Sequence, residues 1–214
     1  MKKTLKTFIN AGLLMLFVSH SYGLVYNLND INRPGPQADF GVILMDNTTH
    51  AGFNGIDDTF DGTVTFNFTL TFDNYQQQGD YVLFELGNSN GSSAIAIGNT
   101  FGSNNWGGYQ AGSGLTFGSN PVVGGQSQAF TMTIDYNAGA LDTGTLIIFG
   151  DSNVYDIGDY DYSFNEIVFY NGLPGTVASG TNMSVEVVPE PATYALIFGA
   201  LALVFVALRR RFNA

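Results

Sequence analysis

A chain of 214 residues has room for one domain of ordinary size plus targeting segments, and a hydrophobic content of 45% excludes a disordered polyampholyte. Only 12% of the residues are charged, 27 are Gly and none is Cys, which suits a turn-rich β protein and removes disulfides, thiolate metal sites and Cys nucleophiles. Of the seven basic residues six are terminal; setting those and Glu190 aside leaves 17 acidic side chains against Arg33 alone between residues 24 and 188, a net charge of −16 that excludes nucleic acid as a partner.

Residues 1–23 have the order of a secretory signal peptide: basic to Lys6, apolar from Phe8 to Val18, then Ser21-Tyr22-Gly23. Small residues at Ser21 and Gly23 suit the signal-peptidase pockets, so the mature chain is expected to start near Leu24.

The segment 24–188 is expected to fold as one ectodomain. Apolar runs at Val42–Met45, Tyr81–Leu86, Ala94–Ile97, Leu115–Phe117, Thr145–Phe149, Ile167–Tyr170 and Met183–Val188 read as strands, and two longer segments alternate without error. In Thr63–Phe72, Val64, Phe66, Phe68, Leu70 and Phe72 fall on one side and threonines with Asn67 on the other; Ala129–Tyr136 repeats the pattern. With turn signals such as Asp61-Gly62 and Asn171-Gly172 between them, these nine strands predict an all-β, two-sheet antiparallel sandwich, most simply a jelly roll. Gly98–Gly118, rich in Gly and Asn, is expected to be a long loop or hairpin.

Catalytic chemistry has few residues to draw on. The mature body holds one histidine, His50, and no lysine, and Glu85, Glu166 and Glu186 stand singly, whereas a retaining glycosidase needs two carboxyl groups about 5.5 Å apart. The expectation is that the body is not an enzyme. No cofactor is required, and Ca²⁺ is the ion whose chemistry suits two acidic clusters. The first, Asp57, Thr59 and Asp61, resembles the start of a calcium loop, but Phe68 stands where the bidentate Glu belongs. The second is Asp151, Asn153 and Asp156, with Asp159 and Asp161 beyond, between two expected strands. Trp106 and Tyr109, on the Gly/Asn stretch, are candidate ligand-binding residues: they either stack on sugar faces or, for Trp106, close one end of the core.

At the C-terminal end, Pro189-Glu190-Pro191 interrupts regular structure and leaves an extended, accessible segment. The uncharged stretch 192–208 follows, about 25 Å long as a helix, enough to cross a hydrocarbon layer when the flanking residues sit at its interfaces. Arg209, Arg210 and Arg211 then hold the far end in the cytoplasm, so the body faces outward.

Pro-Glu-Pro, an apolar span and a terminal Arg cluster together resemble the PEP-CTERM sorting signal. That resemblance implies recognition of Pro189, Glu190 and Pro191 by an exosortase at the inner membrane, loss of the tail, and display or release at the cell surface, often with exopolysaccharide. More faintly, Phe68–Leu70, Tyr81–Gly87, Phe130–Tyr136 and Asn165–Asn171 resemble in order and spacing the concanavalin-like or laminin-G-like sandwich. The function expected is therefore a non-enzymatic secreted surface or extracellular-matrix protein; the alternative is a carbohydrate-binding module of the cell surface or exopolysaccharide matrix, with a glycan as partner.

Overall fold

The computed structural model describes residues 23–34, 41–73, 81–88, 93–99, 104–110, 113–151, 153–171 and 176–189, with 199 and 202. Ser21, Glu190, Pro191, Arg209, Arg210, Arg211 and nearly all of the expected signal peptide and apolar span lie outside these residues. Among the described residues no helix is long and apolar enough to cross a membrane.

Residues 25–187 form one compact unit. Its strands are β1 (Leu24–Asn27), β2 (Ile31–Pro34), β3 (Val42–Met45), β4 (Gly62–Phe72), β5 (Tyr81–Gly87), β6 (Ser93–Asn99), β7 (Asn105–Gln110), β8 (Ser113–Pro121), β9 (Ser127–Tyr136), β10 (Asp142–Ile148), β11 (Val154–Tyr160), β12 (Glu166–Phe169) and β13 (Val177–Pro189). They form two sheets. One runs β1-β13-β4-β9-β10-β11, with β2 also on β13; the other runs β3-β12-β5-β6-β7-β8. The all-β, two-sheet expectation holds.

Alternation decides which face is buried. In β4 every second side chain from Val64 to Phe72 is buried and each residue between is half-exposed. β4 pairs with β9 in unbroken register from Gly62↔Tyr136 to Thr71↔Ser127, so the inner rows of both strands point the same way. Aromatic rings join the sheets: Phe68 of β4 stacks on Phe84 of β5 at 4.3 Å, and Trp106 of β7 lies 5.1 Å from Phe130 of β9 and 5.8 Å from Phe72. Such contacts add about 0.5–1.5 kcal/mol per pair to the burial itself.

One expectation is narrowed and another needs correction. Gly98–Gly118, expected as a long loop or hairpin, is built as the hairpin: it holds the end of β6, all of β7 and part of β8, with β7 paired to β8 from Gln110↔Ser113 to Gly107↔Thr116 and to β6 from Ile95↔Gln110 to Asn99↔Trp106. Glycine lowers strand propensity, but here neighbouring strands supply the pairing that local sequence does not favour. The acidic segment after Asn153 is not a connection but β11, which pairs with β10 on one side and ends its sheet on the other. An edge strand can carry Asp156 and Asp159 because charged side chains there reach water and discourage pairing with another chain.

The far edges of the two sheets are fastened by polar side chains. Asn120 Nδ2, on β8, donates to the Phe117 carbonyl, to Asp151 Oδ2 at 2.9 Å and to Tyr155 Oη at 2.9 Å, and the Tyr155 hydroxyl donates to Asp151. The Tyr155 hydrogen bond, then that of Asn120, holds the Asp151 carboxyl down at about 2, from an ordinary 3.8. A carboxyl whose folded pKa is depressed stabilises the fold above its unfolded value and loses that contribution as pH falls through the folded one. Thermal melts between pH 5 and pH 2 are therefore expected to show a falling midpoint below about pH 4, and Asp151→Asn should flatten that fall. A variant as acid-sensitive as the native protein would remove Asp151 from the latch.

Candidate functional site

The outer face of the six-stranded sheet gathers polar groups that sequence order keeps apart. In β5, Phe84 and Leu86 turn into the core, so Glu85 and Gly87 face out; in β12, Ile167 and Phe169 turn in, so Glu166 and Val168 face out. The register Glu166↔Gly87 and Val168↔Glu85 then makes Glu85 and Glu166 diagonal neighbours. Both carboxylates lean over the glycine: a Cβ on Gly87 would lie 3.3 Å from Glu85 Oε1 and 3.5 Å from Glu166 Oε1.

Tyr170 continues the outward row of Glu166 and Val168, its N–H donating to the Leu83 carbonyl at 2.9 Å. Its hydroxyl donates to the Glu85 carboxylate, and its pKa is pushed up to about 12, first by burial and then by the charges of Glu85 and Glu166, against the opposing charge of Arg33. Arg33, the one basic residue of the body, is 6% exposed, and its Nη1 donates to the Phe169 carbonyl at 3.4 Å. Asn171 Nδ2 donates to the carbonyls of Arg33 (2.7 Å) and Thr176 (3.0 Å), which fastens β2 beside the end of β12. Ahead of β3 the chain passes so close that a Cβ on Gly41 would come 2.4 Å from Val168 Cγ1 and 2.9 Å from Tyr170 Cε1, so glycine is required there.

A row of paired residues crosses this face from Val168 through Glu85, Ala96 and Tyr109 to Gly114. Tyr109 thus stands two strands from Glu85, about 10 Å away at the usual spacing, with only Ala96 between them. Beside Ala96 the next row holds Gly98 and Gly107, so the floor carries no long side chain. Tyr109 flanks these small residues on one side and Glu85, Tyr170 and Glu166 on the other, and Ala96, Gly98 and Gly107 between them are buried. Next to Glu166 opens a polar cavity of about 150 Å³ lined by Asp46, Asn47, Asn54 and Asn165 as well. Asp46 is engaged in its own turn, accepting from the Thr48 and Thr49 N–H groups at 2.9 and 2.7 Å, and the Thr49 bond leads in holding its carboxyl at about 2.

The sequence-derived candidates divide. Tyr109 lies on the outer face, but Trp106 points the other way and is 2% exposed, packed on Phe72 and Phe130. Residues three apart in a strand face opposite sides, so of the two roles expected for Trp106 its burial fits the closing of the core, and Tyr109 alone faces outward. Asp57 accepts from Thr59 N and Oγ1 at 2.9 and 2.6 Å, Asp151 takes part in the edge latch and accepts from Asn153 Nδ2 at 2.6 Å, and Asp156 accepts from Gly158 N at 2.7 Å. These carboxylates shape turns and edges, and among the described residues no three acidic or histidine side chains converge as a metal cluster. Glu85 and Glu166 stand singly in the sequence, and only the pairing of β5 with β12 brings them together and beside Tyr170. The signal available was alternation, which already set both glutamates opposite the core rows.

By architecture the body is a β-sandwich protein, and the solved structures it resembles include carbohydrate-active enzymes. They include the alginate lyase Aly36B (12% identity, 74% of this chain and 80% of that one, TM-score 0.43), an alginate lyase from Alteromonas sp. 272 (13%, 75% and 95%, 0.42) and an endo-β-1,4-glucuronan lyase from the fungus Trichoderma reesei (10%, 78% and 88%, 0.47). The expectation of a non-enzymatic body is corrected here: the glutamates expected to stand apart are neighbours over Gly87. No curated protein matches the chain significantly. Residues 187–211 match the PEP-CTERM protein-sorting motif. The chain is thus one that carries a PEP-CTERM tail behind a β-sandwich, and the tail implies secretion and exosortase processing.

Proposed function

We propose that this protein is a cell-surface or matrix protein delivered by its PEP-CTERM tail, whose sandwich binds a glycan at the Tyr109, Glu85, Glu166 and Tyr170 side chains on the outer face of the six-stranded sheet. The observation that carries the binding reading is the convergence of Glu85, Glu166 and Tyr170 opposite Tyr109 across a floor of small residues. Tyrosine offers an apolar face to a sugar ring and a hydroxyl to its substituents, and carboxylates and amides accept and donate to sugar hydroxyls. The charge of the body, with Arg33 turned inward, disfavours polyanions and favours uncharged glycans.

Affinity electrophoresis of the purified protein through gels containing neutral β-glucans, with alginate as the anionic control, tests this. Retardation by a neutral glycan is expected, with about a tenfold loss of affinity in Tyr109→Ala, equivalent to about 1.4 kcal/mol. Unchanged mobility in every gel, or retardation by alginate alone, would overturn the reading.

A further inference from the structure

The sorting motif does not begin beyond the fold. Its match starts at residue 187, while β13 runs on to Pro189. β13 is an interior strand, set between β1 and β4, and its last inward side chains belong to the core, Val185 at 0% and Val187 at 9% exposure. Leu28 N donates to the Met183 carbonyl at 2.9 Å, which brings the β1 side of the sheet alongside the second half of β13. No spacer separates this held strand from Pro189, which has no N–H and ends the ladder on its own account.

A peptidase commonly takes its substrate as an extended strand whose backbone groups pair with the cleft. The backbone of an interior strand is already committed on both sides, so offering it to a second partner means opening the sheet at its centre. We infer that the folded sandwich limits access to the tail: the bond cut on processing lies C-terminal to Pro189, the processed body keeps the whole of β13, and the missing spacer slows the reaction. In that step the carbonyl carbon of the cut bond passes to water or to an acceptor nucleophile, and the new amine leaves with the tail. The inference rests on the sorting reading.

The test follows the full-length protein in cells that process it, reading the mature C-terminus by mass spectrometry and the conversion rate by pulse-chase. A terminus at or beyond Pro189 is expected; one at or before Val188 overturns the inference. A second variant carries eight Gly/Ser residues between Val188 and Pro189, which leaves the sandwich intact. Several-fold faster conversion is expected, and an unchanged rate overturns the limiting role of the fold. Failure of the sorting reading looks different: Pro189→Ala, Glu190→Ala and Pro191→Ala combined would then be processed like the native chain.

Discussion

Trp106→Ala is expected to lower stability by about 3–5 kcal/mol, the cost of emptying a large aromatic site in a packed core. The indole is 2% exposed and wedged between Phe72 and Phe130, so its loss leaves a void bordered by both sheets. Against a total stability of about 5–15 kcal/mol for a domain of this kind, that is a large share. Urea titration reads it as a lower midpoint at unchanged slope. Tyr109→Ala, three residues on, should cost much less stability and act on glycan affinity. The reverse pattern, a Trp106→Ala protein as stable as the native one but unable to bind glycan, would return the indole to the binding face.

That contrast shows where the sequence stops being sufficient. Period two over Thr63–Phe72 identifies β4 and its buried face because each inward position carries a large apolar side chain. β7 hides the same geometry: in Asn105–Gln110 two of the six residues are Gly, and the two aromatics three apart mark opposite faces. β11 is obscured for another reason, since on an edge strand only Ile157 is fully buried and its exposed positions are shared by Val154, Asp156 and Asp159. The site was legible in halves. Alternation put Glu85 and Glu166 on outward rows, but that β5 and β12 lie side by side, with Gly87 opposite Glu166, is a fact of sheet order that no local pattern contains.

Asp142→Ala is expected to be nearly as damaging, about 3–5 kcal/mol, because two backbone donors lose a charged acceptor whose hydrogen bonds contribute about 1.5–3 kcal/mol each. The carboxylate is 4% exposed; Oδ1 accepts from Asn137 N at 3.1 Å and Oδ2 from Tyr162 N at 2.9 Å. Asn137 opens the turn from β9 to β10, so this one side chain ties that hairpin to the segment that follows β11. Tyr162 extends the tie: its hydroxyl donates to the Ile157 carbonyl at 2.8 Å and accepts from Gln110 Nε2 on β7 at 2.6 Å, while Tyr136 Oη donates to the Tyr162 carbonyl at 3.0 Å. Asp142→Asn keeps one carbonyl acceptor and turns an amide donor toward an N–H, so its midpoint in urea should fall between native and alanine. Groups joined in one network fail together, so Asp142→Ala combined with Tyr162→Phe should cost less than the sum of the two alone. Strict additivity would mean that the hairpin and the Tyr162 network stabilise the sandwich separately.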